Sequence, residues 1–230
     1  MKNKKAINLY ESKVENYFSA ARSEILDLLP KFSPRVLEVG CGSGQTLELI
    51  KKLELCESTV GIELFEQAAR NARERVDKVF QLNIETDALP SDLGQFDLIL
   101  ILDVLEHLVD PWSVLHRIQS SHLKLGGKII ISLPNARHFS FVLPLVISGE
   151  FDYQERGILD KTHLRFFSRK SGEKMISEAG LSIEKVKSTS LDWSLNSGKL
   201  NALTLGLFSE LLTSQYIYLA NADQVERHKR

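Results

Sequence analysis

Val36-Leu37-Glu38-Val39-Gly40-Cys41-Gly42-Ser43-Gly44 is the stretch that decides the fold of this 230-residue chain. An apolar run leads straight into three glycines at every second position, and Thr46 to Lys52 opens a helix behind them. A glycine has no Cβ and takes positive φ at little cost, so such a turn lets backbone pass close to a ligand. The helix that follows aims its free N–H groups and positive dipole end at the same place. Glu38, two residues before the first glycine, sets a carboxylate beside that nest. A phosphate gains nothing from a negative charge there, whereas a ligand carrying positive charge does.

Outward from the loop, strands and helices alternate. On its N-terminal side, Glu15–Leu29 has helical periodicity and stops at Pro30, a cap helix within residues 1–30. Downstream, the pattern predicts strand Arg35–Val39, helix Thr46–Leu53, strand Thr59–Glu63, helix Gln67–Arg75 and strand Val79–Asn83. Strand Phe96–Leu102, helix Pro111–His122 and strand Lys128–Ser132 follow. Phe96–Leu102 reads Phe-Asp-Leu-Ile-Leu-Ile-Leu, the nearly continuous apolar run of a strand covered on both faces. The expected class is α/β, a doubly wound and mostly parallel sheet. Residues 134–168 read as an irregular cover over the substrate, followed by helix Lys170–Ala179 and strand Ser182–Ser188. Residues 192–213 read as an insertion that is helical over Leu200–Leu212, and Ser214–Ala220 as a last strand. The two final strands make an antiparallel edge pair, for seven strands in one domain spanning 1–230.

Composition excludes several classes. With 43% hydrophobic residues, the chain has enough apolar content for a substantial core. Its formal net charge of −1 gives no bulk attraction to DNA or to an anionic surface. Two cysteines make no disulfide framework, and Cys41 reads as a small filler inside the loop. The basic start Met1-Lys2-Asn3-Lys4-Lys5 leads into no apolar signal segment, and no apolar run is long enough to span a bilayer. Cytoplasmic location is the expectation.

Glu63 closes the second strand, where it can accept hydrogen bonds from both hydroxyls of a ribose. Nicotinamide-dinucleotide enzymes use an acid in the same place. Their loop is G-x-G-x-x-G, however, and here Gly44 arrives one residue early. Glu38 and the C-terminal strand pair also set this chain apart from that class.

On these residues the chain resembles the class I S-adenosylmethionine-dependent methyltransferases. Glu38-Val39-Gly40-Cys41-Gly42-Ser43-Gly44 matches that family's cofactor loop, and Glu63 its ribose-binding acid. Asp103-Val104-Leu105-Glu106-His107-Leu108-Val109-Asp110-Pro111-Trp112 resembles the segment after its fourth strand, and Leu125-Gly126-Gly127-Lys128 its turn into the fifth. The resemblance implies S-adenosylmethionine as cofactor, held by Glu38, Gly40, Cys41, Gly42, Gly44, Glu63, Asn83, Ile84 and Asp103. It implies adenine against Asn83-Ile84, with residue 83 accepting from the exocyclic amine, where relatives usually carry Asp. The sulfonium end lies toward Asp103 and His107. Phe151 to Ser168 resembles a segment of bacterial methyltransferases of the ubiquinone-biosynthesis O-methyltransferase type and of proteins associated with polysaccharide pathways. That implies a small-molecule or saccharide acceptor, methylated on a hydroxyl oxygen, with no DNA partner; a homodimer is compatible with it.

A hydroxyl acceptor calls for a base, and His107 and His163 are the candidates. The alternative is that each imidazole only anchors its loop to backbone. Asp103-x-x-Glu106-His107 with His163 also resembles the divalent-metal site of the small-RNA terminal 2′-O-methyltransferases, which carry Glu in place of Asp103. The primary reading assigns no metal. A metal-dependent RNA-terminal 2′-O-methyltransferase and a non-catalytic cofactor-binding protein are the competing functions. The apolar run Phe139–Ile147, broken by Pro144, reads as packing, a pocket wall or a lid.

Overall fold

A computed structural model describes residues 21–189 and 209–222. Most of Leu200–Leu212 and residues Glu15 to Ala20 of the expected cap helix lie outside them. Seven strands form one sheet: β1 (Arg35–Val39), β2 (Ser58–Glu63), β3 (Lys78–Gln81), β4 (Phe96–Leu102), β5 (Leu123–Pro134), β6 (Leu181–Thr189) and β7 (Gln215–Ala222). Their order is β3-β2-β1-β4-β5-β7-β6. The first five pair in parallel, and β7 runs antiparallel to both β5 and β6. The doubly wound sheet with its antiparallel edge is therefore the one the sequence predicts. Crossovers are α1 (Gln45–Lys52), α2 (Glu66–Ala72), α3 (Pro111–His122) and, leading into β6, α5 (Arg169–Glu178). Burial on both faces explains the apolar centre: Leu98, Ile99, Leu100 and Ile101 of β4 and Ile129, Ile130 and Ile131 of β5 are all but inaccessible.

Strand order reverses between β1 and β4, so the crevice for a ligand opens beyond their C-terminal ends. The glycine loop and the segment Asp103 to Leu108 both leave the sheet at that point. Asp110 accepts from the Ser113 N–H and Pro111 takes the first helical position, which starts α3 cleanly. Ser168 and Ser171 cap the start of α5 reciprocally.

Three elements depart from the sequence pattern. The described part of the N-terminal cap is a 3-10 helix, Ser23–Leu28, that buries Ile25 and Leu28. β5 begins at Leu123 rather than Lys128, because the Gly126-Gly127 turn is absorbed into the strand as an irregularity between Phe96 and Leu98 of its neighbour. The cover is not irregular throughout: Phe139–Ser148 is a helix, α4, with Pro144 inside it. Proline removes only one helical donor, and over ten residues that loss is local. Buried His138, whose charge burial disfavours, accepts from the Ser140 N–H and caps its start. The last described helix, α6 (Ser209–Leu212), leads into β7.

Gly40 has φ +72°, and a Cβ there would sit 2.5 Å from Val104 Cγ2. Gly40→Ala thus carries both backbone strain and a clash against the segment after β4. It is expected to destabilise the fold by about 1–3 kcal/mol, measured as a lowered denaturant midpoint at unchanged slope.

Candidate functional site

The glycine loop is tied down from two sides. Gly40 and Cys41 donate backbone N–H groups to Ile62 O at 2.8 and 3.1 Å, which fixes the loop against β2. Gly44 N–H then closes the turn on Cys41 O at 2.9 Å, and Gly44, at φ +82°, precedes the first residue of α1. Cys41 is buried filler, as its place in the sequence suggests: its Sγ occupies the space that a Cβ on Gly61 would need.

Glu63 is buried and clamped by two backbone donors, with Gly42 N at 2.8 Å on Oε2 and Phe65 N at 2.9 Å on Oε1. Burial raises its pKa while those donors oppose the rise. Each carboxylate oxygen has a further lone pair to offer, which suits two adjacent hydroxyls. Asn83 belongs to a turn that begins after β3: its N–H donates to Asp87 and its side-chain oxygen accepts from the Glu85 N–H. Ile84 is buried in the core, and its carbonyl accepts from Arg117. The Asn83 oxygen is thus engaged locally, so any contact with an exocyclic amine shares it.

Glu38 is buried, takes a hydrogen bond from Thr46 on α1, and leaves Oε2 without a hydrogen-bond partner. Burial pushes its pKa up to about 8, only partly offset by Arg22 and the Thr46 bond. Asp103 follows β4 at φ +54°, a strained conformation for a residue with a Cβ. Surrounding side chains hold it there: Ser132 Oγ donates at 2.7 Å, Gln215 donates to the same oxygen, and Arg22 pairs with the other.

Arg22 is the residue that sequence reasoning missed. Its backbone N–H reaches Thr46 Oγ1 at 3.3 Å, and its guanidinium pairs with Asp103 and Glu24. Its charge also acts on Glu38 and on Glu106. Burial opposes that charge, yet the neighbouring acids hold the guanidinium firmly protonated. One cation thus stands among several carboxylates at the mouth of the crevice. An arginine 81 residues before its partner carries no local sequence signal.

His107 and His163 do come together. Leu105–His107 is a short 3-10 turn after β4, and the chain around His163 folds back over it. Leu164 and Arg165 both donate backbone N–H groups to Glu106 O, at 2.8 and 2.9 Å. The two imidazole centroids lie 4.7 Å apart, edge to face. His107 Nδ1 is 3.1 Å from Thr162 O, and His163 Nδ1 is 2.8 Å from Ile158 O. A carbonyl accepts only, so each Nδ1 carries a proton, and in the neutral tautomer the lone pair is on Nε2. Asp160 organises this turn, accepting from Thr162 N–H and Oγ1 at 2.9 and 2.6 Å.

Glu106 completes the cluster. It is 1% exposed, and neither carboxylate oxygen has a hydrogen-bond partner among the described residues. Burial, then the nearby charge of Asp103, raises its pKa well above the ordinary range. Glu106, His107 and His163 each offer a ligand atom, all within 4.8 Å of one another, and these three could hold a metal ion. Asp103 is not part of that group.

The sequence and the fold have known counterparts. The family model described as Methyltransferase domain matches residues 10–186. Ubiquinone biosynthesis O-methyltransferase of Thiobacillus denitrificans is 30% identical over 166 residues, covering 68% of this chain and 68% of that protein. Protein-L-isoaspartate O-methyltransferase of a Bradyrhizobium strain is 36% identical over 90 residues, covering 37% of this chain and 40% of that protein. The chain spans about half the length of several other curated relatives it matches. An S-adenosylmethionine-dependent methyltransferase from Mesorhizobium loti superposes with TM-score 0.61 at 14% identity, covering 88% of this chain and 98% of that one, a likeness of fold. With the family model spanning the glycine loop, Glu63 and the Asp103–His107 turn, this chain belongs to the class I S-adenosylmethionine-dependent methyltransferases.

Proposed function

We propose that this protein, a single domain over 1–230, moves the methyl group of S-adenosylmethionine to a hydroxyl oxygen of a small molecule or saccharide precursor. The observation that carries the reading is the pair of imidazoles, each with Nδ1 fixed on a backbone carbonyl. In its neutral form either ring has Nε2 to take the acceptor's proton, past the end of β4 and near a donor seated on the glycine loop. In-line transfer from a sulfonium asks the protein mainly for placement, plus removal of one proton from the acceptor. Glu63 takes the ribose, Asn83-Ile84 the adenine, and Glu38 and Asp103 face the cationic end. The reading places the work in the cytoplasm, with a homodimer compatible. Calorimetric titration with S-adenosylhomocysteine and with NAD, run separately, tests it: binding of NAD alone overturns it.

Glu38 gives the reading a pH signature. With a pKa of about 8, its carboxyl is mostly neutral at pH 7. A cationic donor stabilises the carboxylate, so binding expels a proton. Affinity for S-adenosylmethionine therefore rises with pH up to about 8, by up to about tenfold per pH unit, and levels off above. Glu38→Gln flattens the profile. An unchanged profile in the variant removes Glu38 from the donor site.

A second reading rests on Glu106. Two orphaned carboxylate oxygens beside two imidazoles are the donor set of a divalent ion, and the residues fit one. When bound, such an ion lowers the pKa of an acceptor hydroxyl. Glu106, His107 and His163 would hold it, each imidazole oriented by its Nδ1 contact. On this reading, chelation lowers the transfer rate at least about a hundredfold and added Mg²⁺ or Mn²⁺ restores it. An undiminished rate in EDTA discards the metal and leaves the base.

A further inference from the structure

Asp160 lies at the centre of the chain that folds back over the two imidazoles, and it is buried, as are Thr162 and His163. Its N–H donates to Gly157 O at 3.1 Å, and its own carbonyl accepts from the His163 N–H at 2.9 Å. Its Oδ1 takes the Thr162 N–H and the Thr162 hydroxyl at 2.9 and 2.6 Å. Residues 157–163 are thus wound around one aspartate. Gln154 clamps the winding, donating its N–H to Leu159 O at 2.7 Å and accepting from the Lys161 N–H at 2.9 Å. Immediately after it, the Leu164 and Arg165 bonds to Glu106 O seat the winding on the turn that carries His107.

Both carbonyls that receive the imidazoles belong to this winding. Ile158 O takes His163 Nδ1 at 2.8 Å, and Thr162 O takes His107 Nδ1 at 3.1 Å. The Thr162 carbonyl and the His163 N–H share one planar trans peptide, so they point in opposite directions. One end of that peptide is held on Asp160 O while the other meets His107. The direction in which Thr162 O faces the turn after β4 is therefore set at Asp160. Bonds at the two ends of a peptide group also polarise and strengthen one another.

We propose that Asp160 is the positioning residue of the imidazole pair. It acts through Thr162 and the winding, fixing both rings with a proton on Nδ1 and, in the neutral form, an unprotonated Nε2. Which ring nitrogen carries the proton is decided by the hydrogen bond its neighbour makes. An imidazole without such a contact favours the proton on Nε2, where it removes the lone pair that a base uses. One buried side chain thereby sets two rings from separate parts of the chain. A base misplaced by about 1 Å costs about a hundredfold in rate, so ring placement bears directly on transfer. The catalytic use of the rings rests on the proposed methyl transfer; their fixing by Asp160 does not.

The test is nitrogen NMR of the imidazoles in the full chain, with the two rings assigned by His107→Gln and His163→Gln. Spectra are taken where the ring signals no longer move as pH rises. Each ring of the unaltered protein is expected to show a protonated Nδ1 and an unprotonated Nε2. Asp160→Ala removes the acceptor for Thr162, and the ratio of the two tautomers should fall about fivefold in both rings, the worth of one hydrogen bond. Asp160→Asn keeps an acceptor oxygen at the place of Oδ1 and should hold both ratios within about twofold. Cooperative thermal unfolding checks the fold of each variant without a ligand. A folded alanine variant with unchanged ratios overturns the proposal, as does a folded asparagine variant that loses as much as alanine. An aspartate that only stabilised the cover would give the first of these results. If the alanine variant does not fold, Thr162→Val removes the hydroxyl contact alone. The His107 ratio should then fall at least about twofold, and no change overturns the proposal. Rings that respond to Asp160 in a protein whose His107→Ala variant transfers methyl at full rate would sink the proposed base and leave the positioning standing. Rings indifferent to Asp160 beside a slow His107→Ala variant would do the reverse.

Discussion

His107→Ala lowers the methyl-transfer rate by about 10²–10⁴-fold, the usual worth of a positioned base, while S-adenosylhomocysteine binding changes by less than about twofold. His107 leaves the sheet after β4 and holds Thr162 O through Nδ1. Two roles are therefore open to it, proton acceptor at Nε2 and pin for the turn that carries His163. His107→Asn separates them, because its side-chain amide keeps a donor near the place of Nδ1 but supplies no basic nitrogen. If the imidazole is the base, the asparagine variant is as slow as the alanine variant and keeps wild-type thermal stability. If it is only a pin, the asparagine variant recovers the rate. His163→Ala is expected to lose a comparable factor, since the rings touch edge to face and share Glu106 as neighbour. Groups that act as a unit are not additive, so the double variant should be no slower than the worse single one. Multiplicative losses would mean that the two imidazoles serve separate steps.

The sheet and the loop were legible because their causes are local. Strands buried on both faces must be almost wholly apolar, as Phe96–Leu102 is, and a backbone turning beneath a ligand must be glycine, as at Gly40 and Gly44. Histidine pairing was half legible. His107 and His163 stood out as imidazoles on loops, but their contact depends on Leu164 and Arg165 folding back onto the Glu106 carbonyl. α4 was obscured by Pro144, which breaks the pattern of a helix that tolerates it at the cost of one donor. Arg22 left no trace at all. Its role exists only after Glu38 of β1 and the segment after β4 that carries Asp103 and Glu106 have been brought around it. Charge balance inside a pocket is a property of the assembled site, and periodicity does not encode it.

That balance yields the sharpest expectation for donor recognition. S-adenosylmethionine brings two cationic groups and one carboxylate into a crevice already lined by Glu38, Asp103 and Glu106. The carboxylate needs a cation, and Arg22 is the one the described residues place there. Its guanidinium pairs with Asp103; the expectation is that it turns to the donor's carboxylate while the donor's ammonium takes its place against the acids. Arg22→Ala should therefore weaken S-adenosylmethionine binding by about a hundredfold, or about 2.7 kcal/mol, the scale of removing one partner of a desolvated charge pair. Decarboxylated S-adenosylmethionine, which keeps both cations, should bind the variant as tightly as it binds the unaltered protein, or more tightly. Calorimetry with the two ligands on both proteins completes the thermodynamic cycle. Equal losses for both ligands would mean that Arg22 merely holds Asp103 in its strained conformation, because a distorted site penalises the ligands alike. A loss confined to the carboxylate-bearing donor cannot arise that way, because only a direct charge partner distinguishes two ligands that share every other group.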